Sequence, residues 1–182
     1  TTATDAYNTG LGFAAGEAIT TGTLNTLIGA LAGDALTTGG SNVAVGQSAL
    51  SSDTLGSTSI AIGQNALVTQ NFTTATNVYN IAVGKSAGES ITTGIQNTII
   101  GGLAGDSLTD ADNNISIGFG SLSTDTLGSA STAMGSFALN AQNFTTATST
   151  YNVAVGYNSG GKVTTGLQNT LIGGLAGDAL TD

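Results

Sequence analysis

An aliphatic residue followed by glycine recurs along the whole chain. The pairs are Leu11-Gly12, Ile28-Gly29, Val45-Gly46, Ile62-Gly63, Val83-Gly84, Ile100-Gly101, Ile117-Gly118, Met134-Gly135, Val155-Gly156 and Ile172-Gly173. Successive glycines lie 17, 17, 17, 21, 17, 17, 17, 21 and 17 residues apart, so Gly12, Gly84 and Gly156 are equivalent positions of a 72-residue super-repeat. Each glycine closes a short β-branched or aliphatic run such as Asn42-Val43-Ala44-Val45-Gly46, which reads as a strand of about four residues ended by a turn. The density of Gly and Thr and the absence of a sustained 3.6-residue period disfavour helix. Repeats this short stack on their neighbours and form no single central core. The pattern predicts an all-β, parallel β-solenoid (a β-roll) of about ten coils with 17/17/17/21-residue periodicity. At the spacing of paired strands it is a rod of roughly 50 Å. The array is continuous over 1–182, with super-repeats at 1–72, 73–144 and a partial one at 145–182. It opens mid-pattern at Thr1, which reads as an excerpt of a longer chain.

Two further columns run beside the glycine. Four residues before it stands Asn8, Asn25, Asn42, Asn80, Asn97, Asn114, Asn152 or Asn169, with Ser59 and Ser131 in the remaining two coils. Stacked in register, Asn25, Asn42, Asn80, Asn97, Asn114, Asn152 and Asn169 form a structural ladder, amide bonding to amide along the rod. Three residues after the glycine comes Ala or Ser, the mark of a tight corner or a close backbone approach. Coils of the Asn-Thr-Leu/Ile-Ile-Gly kind carry large apolar residues at adjacent positions, which point to opposite faces of a strand. One face fills the coil and the other needs cover. Leu27, Ile99 and Leu171 are therefore expected to form an interchain seam, most simply in a threefold bundle. The other reading of the same residues is a monomeric solenoid with an exposed leucine stripe.

Composition narrows the class. Of 182 residues 40% are hydrophobic, 7% charged and 5% aromatic, so the surface is built from Thr, Ser, Asn, Gln and Gly. Two basic residues, Lys85 and Lys162, against eleven acidic ones leave a net charge of −9, which argues against nucleic acid as a partner. No apolar run approaches the roughly 20 residues of a spanning helix, so no membrane insertion is expected in this segment. With no His and no Cys the usual general base and thiol nucleophile are missing, and the acids recur as repeat positions and form no unique pair. The chain reads as non-enzymatic, with no cofactor and no metal.

The spacing of Asn-Thr-Leu-Ile-Gly and Asn-Val-Ala-Val-Gly-x-x-Ala-Leu by Thr-Thr-Gly or Thr-Leu-Gly linkers resembles the head repeats of YadA-like trimeric autotransporter adhesins. Ser59-Ile60-Ala61-Ile62-Gly63 is the best single match. It is similar also to repeat tracts of phage tail-fibre proteins that end in an endosialidase-type intramolecular chaperone. The resemblance spans essentially all of the chain. It implies a left-handed parallel β-roll assembled as a homotrimer, in a virion tail fibre or at an extracellular cell surface. The period is longer than in the compact adhesin head, and no coiled-coil stalk, membrane anchor or chaperone domain accompanies it.

Aromatic residues gather at the one irregular element. The four residues added in each long coil follow Asn-Phe-Thr-Thr-Ala-Thr and bring Phe72 with Tyr79 and Phe144 with Tyr151. One reading is a glycan-binding platform of stacked rings; the other is a set of anchors holding an oversized loop. Glu17, Asp34, Glu89, Asp106 and Asp178 form an acidic column, and Asp53 and Asp125 another. Calcium would need six to eight oxygens, whereas a carboxylate capping a turn needs only a nearby N–H. Thr-Thr-Gly recurs at Thr20, Thr37, Thr92 and Thr164, but intervening coils break the flat threonine lattice that ice binding requires. These expectations add up to the shaft of a fibre supporting host-receptor attachment. The alternative is a bacterial surface adhesin or extracellular filament whose aromatic loops contact glycans.

Overall fold

A computed structural model describes residues 6–182; the first five, where the repeat pattern opens, lie outside the described residues. The chain is an all-β parallel solenoid of ten turns. One strand from each turn enters a single parallel sheet: β1 (Thr9–Leu11), β2 (Thr26–Ile28), β3 (Val43–Val45), β5 (Ile60–Ile62), β7 (Ile81–Val83), β8 (Thr98–Ile100), β9 (Ile115–Ile117), β11 (Thr132–Met134), β13 (Val153–Val155) and β14 (Thr170–Ile172). The register is without slips: Leu27 pairs with Ala44, Ala44 with Ala61, and Ala61 with Ala82 across the first 21-residue spacing. The four extra residues are therefore absorbed outside this sheet. They leave in two short ladders, β4 (Gly56–Ser57) with β6 (Thr76–Asn77) and β10 (Gly128–Ser129) with β12 (Thr148–Ser149).

Strands are three residues long, one shorter than the pattern predicts, and the Asn column explains the difference. The N–H of Asn42 donates to the side-chain Oδ1 of Asn25 at 3.0 Å, and that of Ser59 to Asn42 Oδ1 at 2.9 Å. Above an asparagine the N–H of the first expected residue thus bonds to a side chain of the turn below, while its carbonyl still accepts from the adjacent strand, as that of Asn42 does from the Thr26 N–H at 2.8 Å. The glycine after each strand has a physical reason too. At Gly46 φ is +132°, and a Cβ there would lie 2.6 Å from the carbonyl of Gly63 in the next turn. Both the backbone conformation and the approach of adjacent turns exclude a side chain.

Outside the strands the turns use left-handed backbone far more widely than their glycines suggest. Leu31, Leu50, Leu67, Leu103 and Leu139 have φ between +49° and +60°. A leucine in this region costs about 1–2 kcal/mol. Bonds between turns hold it there: the N–H of Leu31 donates to Phe13 and that of Leu50 to Ala66, at 2.8 and 3.0 Å.

The core lies inside the coil, between the middle residue of each strand and the wall opposite. Leu27, Ala44, Ala61, Ala82, Ile99, Ala133 and Ala154 are buried. In turns 2, 3, 4 and 6 their sizes are matched across the coil. Opposite Leu27 and Ile99 stand Gly33 and Gly105, where a Cβ would meet those side chains at 2.8 and 3.0 Å. Opposite Ala44 and Ala61 stand the buried Leu50 and Leu67. In these turns volume moves from one wall to the other, whereas in turns 5 and 9 both walls are small, Ala82 with Gly88 and Ala154 with Gly160, and leucines of the turns below reach in: a Cβ at those glycines would meet Leu67 at 3.1 Å and Leu139 at 2.8 Å.

Candidate functional site

The feature with most capacity to act on a partner is the outer face of the ten-stranded sheet. Side chains alternate across a strand, so burying Ala44 inward turns Val43 and Val45 outward. The same holds for Ile60 with Ile62, Ile81 with Val83, and Ile115 with Ile117. These side chains are half-buried or exposed on the single chain; Ile62, Ile100, Ile115 and Met134 are 37–40% exposed. The outcome is an apolar strip one residue wide, from Leu11 to Ile172, running the length of the rod beside a mixed column in which Val43, Ile60, Ile81, Ile115 and Val153 share places with Thr9, Thr26, Thr98, Thr132 and Thr170.

This geometry corrects the predicted seam. Leu27 and Ile99 are 1% and 0% exposed and fill their own chain's core, and Leu171 packs against that core as well. All three are middle residues of their strands and turn inward. The outward residues are the next ones along, Ile28, Ile100 and Ile172. In Asn-Thr-Leu-Ile-Gly both faces are large and apolar, so alternation alone does not say which points inward.

The predicted Asn residues lie in one column, buried except for the half-buried Asn169, and most of their bonds run to backbone. Asn25, Asn42, Asn97 and Asn114 each donate Nδ2 to a carbonyl 14 residues on, at 2.7–3.0 Å. Direct amide-to-amide contacts occur from Asn97 to Asn80 and from Asn169 to Asn152, both at 3.3 Å. Where serine replaces asparagine, glutamine from the same coil fills the space. Gln70 Nε2 donates to Ser59 Oγ at 3.0 Å and to Asp53 Oδ2 at 2.6 Å, while its Oε1 accepts from Asn80 Nδ2 at 2.9 Å. Asp53 Oδ1 in turn accepts the N–H groups of Gly56 and Phe72 at 3.0 and 3.1 Å. Gln142, Ser131, Asp125 and Asn152 repeat the arrangement one super-repeat later. Sequence reasoning assigned Asp53 to a turn and overlooked Gln70. The recurrence of an Asp-then-Gln pair seven residues after two consecutive column glycines was the available signal.

The aromatic pairs divide. Phe72 and Phe144 are 7% exposed and pin the inserted loop to the rod, whereas Tyr79 and Tyr151 stand exposed. A two-ring platform at the loop therefore lacks one of its rings. A second aromatic group was not anticipated. Phe119, Phe137 and Tyr157 follow one another up three turns, edge to face, with ring centres 5.5 and 6.4 Å apart. One super-repeat earlier the same places hold Gln47, Asn65 and Lys85.

The acidic column carries little chemistry. Among the described residues no three metal-ligating side chains come together. Asp34 and Asp106 each keep a buried Oδ1 without a hydrogen-bond partner. Burial raises the Asp106 carboxyl above its ordinary value; its own backbone N–H opposes that and the neighbouring Glu89 adds to it. The threonines spend their hydroxyls within the rod: Thr20, Thr37 and Thr109 each donate to a carbonyl one turn on, at 3.0–3.1 Å. Compared with known protein families, curated proteins and solved structures, the chain matches none.

Proposed function

We propose that this chain is a length of fibre shaft, non-enzymatic, in which three copies pack through the outer faces of their ten-stranded sheets. The observation that carries the reading is the apolar strip. Strands of a parallel sheet ordinarily have both faces covered, and an outer face with an unbroken apolar column from Leu11 to Ile172 is a surface for another chain. Parallel stacking makes each copy stiff along its axis, and bundling stiffens it against bending. Such a rod supports a receptor-binding element carried elsewhere in a virion tail fibre or an extracellular filament. A surface adhesin is the second reading, favoured by the exposed Tyr79, Tyr151, Phe119 and Tyr157, which offer rings to a glycan.

The test is the mass in solution by light scattering at several concentrations, for the native chain and for Ile62→Lys with Ile100→Lys. Each chain weighs 17.6 kDa. We expect three chains' mass for the native protein, and a β-rich species of one chain's mass for the double variant. A folded native monomer at every concentration overturns the bundle and leaves the strip free to bind something else.

A further inference from the structure

The chain contains three Asn-x-Ser/Thr sequences: Asn71-Phe72-Thr73, Asn114-Ile115-Ser116 and Asn143-Phe144-Thr145. The motif is an acceptor for N-linked sugar only where the amide can be reached. The fold separates the three sharply. Asn114 is fully buried in the asparagine column and its Nδ2 donates to the Gly128 carbonyl at 2.9 Å. Its motif partner Ser116 is equally buried and bonded to Ser121. Asn71 and Asn143 lie instead at the start of the inserted loops. Asn71 is exposed and Asn143 half-buried, and Thr73 and Thr145 are exposed.

The bonding at the two loops leaves the reactive atom free. Asn71 Oδ1 accepts from Thr54 Oγ1 at 3.1 Å, and Asn143 Oδ1 from Thr126 Oγ1 at 3.4 Å. Neither Nδ2 has a partner among the described residues, and neither do the hydroxyls of Thr73 and Thr145. The intervening phenylalanine is buried beneath, its N–H held by Asp53 or Asp125 at 3.1 and 2.9 Å. The amide and the threonine flank a fixed anchor and face away from the packed core.

We propose that the folded rod accepts N-linked sugar at Asn71 and Asn143 and refuses it at Asn114. The step joins Asn Nδ2 to the anomeric carbon of a diphosphate-activated sugar. The carbon–oxygen bond to the diphosphate breaks, the diphosphate leaves with that electron pair, and one amide proton passes to the medium. No oxidant or reductant is involved. The two sites are equivalent positions 72 residues apart, four turns, so the sugars would stand roughly 19 Å apart along the rod. They belong to the inserted loops and not to the ten-stranded sheet, so decoration is compatible with packing through that sheet.

The test incubates the folded chain with a soluble N-glycosyltransferase and a uridine-diphosphate hexose, and reads intact mass and peptide maps. Two hexoses are expected per chain, one at each loop. Asn71→Gln and Asn143→Gln should each remove one, and the double variant both, with the β-rich spectrum unchanged. Thr73→Ala, which leaves the asparagine in place, should also remove one. Addition at Asn114 overturns the proposal. So does no addition at either loop under conditions that modify a free Asn-Phe-Thr peptide.

Discussion

Turns 2 and 6 differ from turns 3, 4, 7 and 8 in what they place inside. Turns 2 and 6 hold a large residue on the sheet, Leu27 or Ile99, a glycine opposite, and an apolar Leu36 or Leu108 three residues further on. Turns 3 and 4 reverse this: Ala44 and Ala61 on the sheet, Leu50 and Leu67 opposite, and then the polar Asp53 and Gln70. Turns 7 and 8 repeat the second kind with Asp125 and Gln142. Both polar pairs stand just before the inserted loop, and they tie it down. The rod is therefore an alternation of apolar turns that supply packing and polar turns that supply an attachment point for a protruding loop. The second polar block is the less apolar of the two. Ser116 and Ser121, bonded to each other at 2.6 Å, replace Ala44 and Ala49, and the hydrophobic core divides there into two clusters.

The largest effect should come from breaking the attachment. Asp53→Ala removes the acceptor for the Gly56 and Phe72 N–H groups and for Gln70 Nε2, all of them buried. Unsatisfied buried donors cost about 1–3 kcal/mol each, so a total of about 3–5 kcal/mol is expected with partial relaxation. Denaturant unfolding should show that loss, and hydrogen exchange should accelerate first across 70–80. The equivalent change in an apolar turn, Leu36→Ala, should cost about 2–4 kcal/mol through its cavity, without selective opening of the loop. If both variants lose protection evenly along the rod, the two kinds of turn are not distinct.

Exchange of volume across the coil makes a finer test. Ala44→Leu inserts a large side chain against Leu50 and should destabilise by about 1–3 kcal/mol. Leu50→Gly opens a cavity, yet it also removes a left-handed leucine at φ +54°. The double variant rebuilds the arrangement of turn 2, so it should recover most of the loss. A coupling of at least about 1 kcal/mol between the two sites in a double-mutant cycle is expected. Additive losses would mean that the turns are not interchangeable.

Much of this was legible in the sequence because the period is strict. Ten turns, the parallel sheet, the position of the strands and the asparagine column all follow from spacing, since any slip would scatter equivalent residues. The outward-facing position was misread by one residue because Leu27 and Ile28 are similar in size. The Ala44 and Ala61 of neighbouring turns settle the matter only once their partners Leu50 and Leu67 are known to lie across the coil. Left-handed leucines leave no trace in composition, as their conformation is imposed by bonds between turns. The Asp53–Gln70 network was hidden for a related reason: its members Asp53, Gln70 and Asn80 come from three successive turns, and only stacking brings them together. Phe119, Phe137 and Tyr157 were overlooked because they differ between super-repeats, and attention to the repeat suppresses what does not repeat.

The smallest effect concerns charge in an apolar turn. Asp106, in turn 6, has a buried Oδ1 with no partner, and burial, followed by repulsion from Glu89, holds its carboxyl above the ordinary range. A carboxyl raised on folding binds its proton more tightly in the native state. Its contribution is complete below the unfolded value and lost as pH rises through the folded one. Asp106→Asn keeps the shape and removes the charge, so it should raise the melting temperature near neutral pH. The gain should shrink to nothing as pH falls below the ordinary carboxylate range. Asp53→Asn, in a polar turn whose carboxylate accepts three hydrogen bonds, should lower the melting temperature at neutral pH. Opposite signs for the same chemical change are the sharpest statement of the difference between the two kinds of turn. Equal signs would show that their carboxylates sit in equivalent surroundings.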